Sequence, residues 1–212
     1  TKVNEKAIAA AKKLKVIGRA GAGVDNVDVG KATDAGIIVM NTPGGNTVST
    51  AEHTFSMIMA LSRNIPQADR SIKEGRWDRK KYTGVELRDK ILGIIGLGNI
   101  GRVIAKRANA FEMKVIGFDP FITKEVANSF GIKLVTLDDI WAKSDYITIH
   151  TPINESTRHI INDTTLAKCK NGVRIINCAR GGVVDEEALL RAIESGKVAG
   201  AALDVYENEP PN

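Results

Sequence analysis

The sequence predicts an open α/β fold, a doubly wound parallel sheet preceded by the tail of a second parallel domain. Three observations predict it. Short apolar runs recur along the chain, amphipathic stretches separate them, and few of the runs alternate apolar with polar residues. Continuous apolar runs of this length suit parallel strands buried on both faces, and strand–helix alternation implies the doubly wound arrangement. The strand candidates are KVIGRA (15–20), IIVMN (37–41), ILGIIG (91–96), KVIGFD (114–119), YITIH (146–150), VRIINC (173–178) and AGAALDV (199–205). Helical stretches lie at 99–111, 122–130, 137–143, 163–169 and 184–195.

The most apolar helix candidate is STAEHTFSMIMALSR (49–63). Ser49 or Thr50 is placed to cap it, with Glu52 as the returning acid of a capping box. A helix this apolar is expected in the core or in a subunit interface. Ahead of NTPGGNT (41–47) the chain has room for two strands and two helices only. That is too little for an independent parallel domain, so residues 1–42 read as the C-terminal end of one, and 43–212 as the doubly wound domain.

Composition limits the function classes. The chain has 212 residues, 43% hydrophobic and 26% charged, which suits a globular protein with a substantial core. No apolar run approaches the roughly 18 residues of a membrane helix. The N-terminal TKVNEKAIAA has neither a methionine nor a signal-peptide core and reads as an internal cut. The net charge of +5 suits a small anionic ligand and is too dispersed for nucleic acid. Only RWDRKKY (76–82) gathers basic groups around aromatics, and it reads as a solvated loop or a subunit contact. Cys169 and Cys178 have no metal-type spacing, so no metal site, no disulfide and a reducing, cytoplasmic compartment are expected.

One stretch carries chemistry of its own, ILGIIGLGNIGRVIAKRANAFEMKVIGFDP (91–120). Gly96, Gly98 and Gly101 follow an apolar strand and open a helix; a second strand then ends in Asp119. Gly96 permits the tight turn, Gly98 lets a pyrophosphate approach the backbone, and Gly101 lets the helix pack closely on the strand. The helix start offers free N–H groups to phosphates. Asp119 is the acid that accepts from a ribose 2′-hydroxyl and repels a 2′-phosphate, and Pro120 and Phe121 rather than an arginine follow it. This is the pattern of a Rossmann-type dinucleotide site that favours NAD over NADP.

Further stretches stand in order around it: HTP (150–152), NCARGGVVDEEAL (177–189) and AALDVYENEPP (201–211), with GRAGAGVDNVD (18–28) and MNTPGGNTVSTAEH (40–53) upstream. Together they resemble the D-isomer-specific 2-hydroxyacid dehydrogenases over essentially the whole chain. Within that family, GRWDRKKYTGVELRDKILGIIGLGNIGR (75–102) is similar to the branch that oxidises a phosphorylated 2-hydroxy acid at the first step of serine biosynthesis. The resemblance implies that residues 1–42 are the end of a flavodoxin-like substrate-binding domain and 43–212 an NAD-binding domain. It implies cofactor contacts at Ala22, Gly96, Gly98, Asn99, Ile100, Gly101, Asp119, Thr151, Cys178, Ala179, Arg180 and Asp204. Arg180 would bind the substrate carboxylate and polarise the reacting oxygen, and Glu209 would pair with a catalytic histidine. Arg19, Asn41 and Asn46 would wall the substrate side, with Arg79 reaching a neighbouring subunit's site. The family also implies a homodimer formed through the cofactor domain, by 49–63 and the NIPQADRSIKEGRW segment.

Taken by themselves, several of these residues have plainer readings. Arg180 could cap carbonyls in its glycine turn, Glu209 could be a surface acid, and Asp204 could cap the turn after its strand. Cys178 reads as a small buried residue rather than a nucleophile. None of the three histidines matches the family's catalytic one, which lies in a Pro-His pair beyond the glutamate, whereas the sequence ends at Asn212. His53 reads as a packed helix histidine, His159 as an exposed loop residue, and His150 as the strand end lining the cofactor cleft. The expectation is a chain that binds NAD and turns over poorly or not at all. The rivals are a relative acting on glyoxylate, hydroxypyruvate or lactate, and an NADH-dependent corepressor of the C-terminal-binding-protein kind.

Overall fold

The computed structural model describes residues 2–211; Thr1 and Asn212, the outer bounds of the two expected domains, lie outside them. The chain divides after Val48 into two compact units. The first holds α1 (Glu5–Ala10), β1 (Val16–Gly18), α2 (Val29–Asp34) and β2 (Ile38–Met40). Its two strands pair in parallel, Val16 opposite Ile38 and Gly18 opposite Met40. Ile8, Ala32 and Ile37 form a small core of their own, with Val3, Ile17 and Val39 against it. Both helices begin at side-chain caps, Asn4 accepting from the Ala7 N–H and Asp28 from the Lys31 N–H.

The second unit follows α3 (Thr47–Arg63) and α4 (Ile65–Lys73) with β3 (Ile91–Ile95), α5 (Asn99–Ala110), β4 (Lys114–Phe118), α6 (Lys124–Ser129) and β5 (Lys133–Leu134). It is completed by α7 (Leu137–Lys143), β6 (Tyr146–Ile149), α8 (Asp163–Lys168), β7 (Val173–Asn177), α9 (Glu186–Glu194) and β8 (Val198–Leu203). The six strands β3 to β8 form one sheet in the order β5-β4-β3-β6-β7-β8, every pair parallel. This is the expected doubly wound sheet. Its order reverses between β3 and β6, the switch point where such sheets bind ligands.

Burial on both faces explains the continuous apolar strands. Leu92 and Ile94 of β3 join Ala51, Phe55, Ile58, Ile104 and Ala108 on one face. Ile95, with Ile147 and Ile149 of β6 and Ile175 of β7, meets Ile140, Trp141, Leu166 and Leu189 on the other. Burying one such aliphatic side chain contributes about 1.5–3 kcal/mol, so both layers are needed to hold the sheet.

One expectation is corrected here. The helix expected at 49–63 begins at Thr47, which puts Ser49 and Thr50 inside it, so neither is its cap. Thr50 instead accepts, through its carbonyl, a hydrogen bond from Thr54 Oγ1 at 2.8 Å. The segment after it is itself a helix, α4, with Pro66 in its first turn, where a missing N–H costs nothing. A polar link fastens α3 to the sheet. Ser62 Oγ donates to the Ile58 carbonyl at 2.6 Å and lies 2.9 Å from the buried Tyr146 hydroxyl at the start of β6.

Tyr146→Phe is expected to lose that one bond and little packing, since Ser62 keeps Ile58 as its acceptor. Urea unfolding should show a loss of about 1 kcal/mol; no loss would mean the link contributes nothing.

Candidate functional site at the carboxyl edge of the sheet

The register brings three residues level at the switch point. Ile95 lies opposite Phe118 on one side and Ile149 on the other, so Gly96, Asp119 and His150 leave their strands together. Gly96 has φ +94°, and a side chain there would stand 2.5 Å from the His150 carbonyl. Only glycine suits both constraints. At Gly101 a Cβ would collide with the Gly96 carbonyl, so α5 rests directly on the turn it leaves. Gly98, the N-cap of α5, is different: it is exposed, makes no side-chain cap bond, and a Cβ there would meet nothing within 4 Å. The start of a 12-residue helix thus presents backbone N–H groups to open space, beside Asn99 and Ile100.

Asp119 spans this turn. Its Oδ2 accepts from the Leu97 N–H at 2.8 Å and its Oδ1 from the Phe121 N–H at 2.8 Å. Each oxygen keeps further acceptor capacity, so the carboxylate is fixed in place with capacity left for a ligand hydroxyl. Next to it, His150 Nε2 lies 2.8 Å from Thr148 Oγ1, while His150 Nδ1 and Thr151 Oγ1 are buried without a protein partner. An open cradle, a fixed carboxylate and two buried polar atoms suit a dinucleotide, and the residues expected at 96–101, 119 and 151 are brought together.

The ends of β7 and β8 form the other half of the edge. Asn177 Oδ1 accepts from the Ala179 N–H at 3.0 Å and Asn177 Nδ2 donates to the Arg180 carbonyl at 2.9 Å, shaping the turn that holds Cys178, Ala179 and Arg180. Sequence reasoning did not single out Asn177; its signal was a polar residue closing an otherwise apolar strand. Arg180 Nη1 donates to the Ala179 carbonyl at 2.7 Å. At Gly181 a Cβ would collide with the Tyr206 carbonyl, which packs this turn on the segment after β8. Asp204, the first residue past β8, donates its N–H to the Asn177 carbonyl at 2.9 Å. Cys178 is buried, its Sγ 3.4 Å from Met57 Sδ, and burial pushes its thiol pKa up. That is the plain packing role expected of it. Burial likewise pushes Cys169 up to about 11.

His53 corrects an expectation. It is not packed in the core: its side chain is 52% exposed and its Nε2 lies 3.2 Å from Asp204 Oδ1. The reason is helical phase, since the buried stripe of α3 is Ala51, Thr54, Phe55, Ile58 and Ser62, and position 53 falls beside it. His159, at φ +48°, lies 2.5 Å from Glu207 Oε1. Glu209 is exposed and its Oε1 accepts from the Tyr206 N–H at 3.2 Å.

Within the first unit, Arg19 donates to the Gly23 carbonyl, and Asn41 Nδ2 donates to the Ala22 carbonyl at 2.7 Å. Arg19, Ala22 and Asn41 therefore gather at the ends of β1 and β2, with Asn46 in the turn before α3. Arg79 is elsewhere: with Arg63, Arg76 and Trp77 it lines a cavity of about 560 Å³ beside α4. Among the described residues no group of three or more His, Cys, Asp or Glu could hold a metal ion, and no helix is long and apolar enough to cross a membrane.

Burial drives the His150 ring down to about 3 from the ordinary 6.5. Between those values the unfolded chain holds a proton that the folded chain does not. Stability is therefore unaffected above about pH 6.5 and drains as pH falls towards about 3, by roughly 2 kcal/mol at about pH 5. Urea unfolding of His150→Asn should show a smaller loss between about pH 7.5 and about pH 5 than the unsubstituted chain. Equal losses would mean His150 is not buried neutral.

The model of the D-isomer specific 2-hydroxyacid dehydrogenase, NAD binding domain, matches residues 55–212. D-3-phosphoglycerate dehydrogenase of Rattus norvegicus is 59% identical over 211 residues, and that of Archaeoglobus fulgidus 56% identical over 212. Each alignment takes in 100% of this chain and 40% of the relative, so the chain spans well under half the length of these proteins. Among solved structures, a glyoxylate reductase from Paecilomyes thermophila superimposes with a TM-score of 0.91 at 42% identity, over 99% of this chain and 64% of that one. With the glycine cradle, the fixed acid and the parallel sheet all in place, the chain belongs to the D-isomer-specific 2-hydroxyacid dehydrogenase family and contains its NAD-binding domain.

Proposed function

We propose that the chain serves the NAD-dependent oxidation of D-3-phosphoglycerate to 3-phosphohydroxypyruvate, the opening step of serine biosynthesis, in the cytoplasm. The observation that carries the reading is the carboxyl edge itself: an open phosphate cradle at Gly98, the Asp119 carboxylate fixed across it, and Arg180 and Asp204 at the neighbouring strand ends. The substrate comes from the relatives that share their name along this whole chain.

The nicotinamide of NAD supplies the hydride acceptor. Gly98, Asn99 and Ile100 would hold the pyrophosphate, Asp119 the adenine-side ribose, and Asp204 the carboxamide. Thr151, Ala22 and the turn at Cys178 and Ala179 would line the cofactor. Arg180 would bind the substrate carboxylate and polarise the C2 oxygen. Arg19, Asn41 and Asn46 would contact the substrate, and Arg79 would reach a neighbouring subunit's site. Glu209 would orient an imidazole that takes the hydroxyl proton. The chain's own histidines are engaged otherwise, His53 at Asp204, His159 at Glu207 and His150 as a neutral buried ring. By itself the chain is therefore proposed to bind NAD and turn over poorly or not at all. The residues of 1–42 are read as the end of a flavodoxin-like substrate-binding domain.

A homodimer through the cofactor domain is part of the proposal. Ile65, Ile72 and Trp77, on and just after α4, are each more than half exposed, and apolar surface of that kind favours a partner. Sedimentation velocity should find a dimer that Trp77→Glu dissociates; a monomer at micromolar concentration would overturn this part.

The experiment for the function is calorimetric titration with NADH. Asp119→Ala should weaken binding by roughly tenfold or more, by removing a charge-assisted acceptor. NADH formation followed at high protein concentration should then be faster with D-3-phosphoglycerate than with glycolate or lactate. Preference for an unphosphorylated acid would favour the glyoxylate or lactate relatives.

A further inference from the structure

None of the three histidines has a place in the mechanism above, and one of them touches a residue that does. His53 sits on the first half of α3, and two neighbouring observations tie that part of the helix to the carboxyl edge. His53 Nε2 lies 3.2 Å from Asp204 Oδ1. Met57 Sδ lies 3.4 Å from Cys178 Sγ. One turn and a half of α3 thus faces the ends of β7 and β8 together.

The pair is a poor stabiliser of the fold. Its two side chains are 52% and 51% exposed, and an ion pair in that setting contributes little because water screens it. What it does change is freedom. An exposed aspartate just past a strand end samples several rotamers; one held through Oδ1 is fixed before any ligand arrives. Either the protonated ring or the neutral ring with its proton on Nε2 can donate to that oxygen.

We propose that His53 is a positioning residue for the cofactor: it holds the Asp204 carboxylate by one oxygen so that the carboxylate is pre-set to accept from the nicotinamide carboxamide. This rests on the reading of Asp204 as the carboxamide acceptor. Fixing one side chain in advance removes an ordering cost from binding, and its loss is expected to weaken NADH three- to tenfold. The effect is confined to the nicotinamide end, because the cradle and Asp119 lie at the ends of other strands.

The test titrates the chain calorimetrically with NADH and with ADP-ribose, which lacks the nicotinamide. Leucine and glutamine are both good helix formers, so neither substitution perturbs α3. His53→Leu should weaken NADH three- to tenfold and leave ADP-ribose within twofold. His53→Gln, whose amide N–H can reach the same oxygen, should recover most of the loss. In an Asp204→Ala background His53→Leu should have no further effect. Equal weakening of both ligands by His53→Leu would make the residue merely structural and overturn the inference. If Asp204→Ala weakens NADH and His53→Leu does not, the inference falls and the reading of Asp204 stands. If Asp204→Ala leaves NADH binding unchanged, or the chain binds no NADH, both fall.

Discussion

The contact on which the site depends is that of Gly101 with the Gly96 carbonyl. It lets α5 start directly against the end of β3, a strand hydrogen-bonded on both sides to β4 and β6. Any side chain at position 101 would push the helix off the strand. With the helix in place, its first turn and the Leu97 N–H are held where Asp119 can accept from the latter at 2.8 Å. The cradle, the acid and the His150 strand end are thus consequences of one close approach plus the parallel register. Packing sets the geometry, and the polar groups inherit it.

The helix α3 plays the complementary part for the second half of the edge. Its contacts run along the sheet from one end to the other. Ser62, in its last turn, meets Tyr146 at the amino end of β6, while His53 and Met57 meet Asp204 and Cys178 at the carboxyl ends of β8 and β7. Buried apolar contacts at Phe55 and Ile58 lie between. The helix is held by an interior hydrogen bond at one end and by its apolar middle, while the exposed His53 in its first half reaches the strand end at Asp204.

The fold was legible because its signals are local and redundant. Glycines at 96, 98 and 101, an apolar strand on each side and an acid at 119 form a pattern that few other structures tolerate. The strand candidates at 91–96, 114–119, 146–150 and 173–178 each ran one residue past the paired strand, which ends at Ile95, Phe118, Ile149 and Asn177. Those surplus residues are Gly96, Asp119, His150 and Cys178, all at the carboxyl edge. Sequence patterns register their hydrophobic context, whereas the ladder stops where the backbone must turn. The two-residue β5 carries too little pattern to be seen.

What the sequence could not yield is side-chain pairing at a distance. His53 is 151 positions from Asp204 in the numbering, and in a helix rich in apolar residues it read as packed; a phase of one residue off the buried stripe decides otherwise. His150 shows the opposite case. It read as the strand end lining the cofactor cleft, and its ring nitrogens are buried, Nε2 bonded to Thr148 and the ring neutral well below pH 6.5. Exposure thus reverses between the two histidines relative to their local sequence. The exposed one can donate to a carboxylate on the ligand side at little cost in solvation, and the buried one cannot accept a proton without a large desolvation penalty.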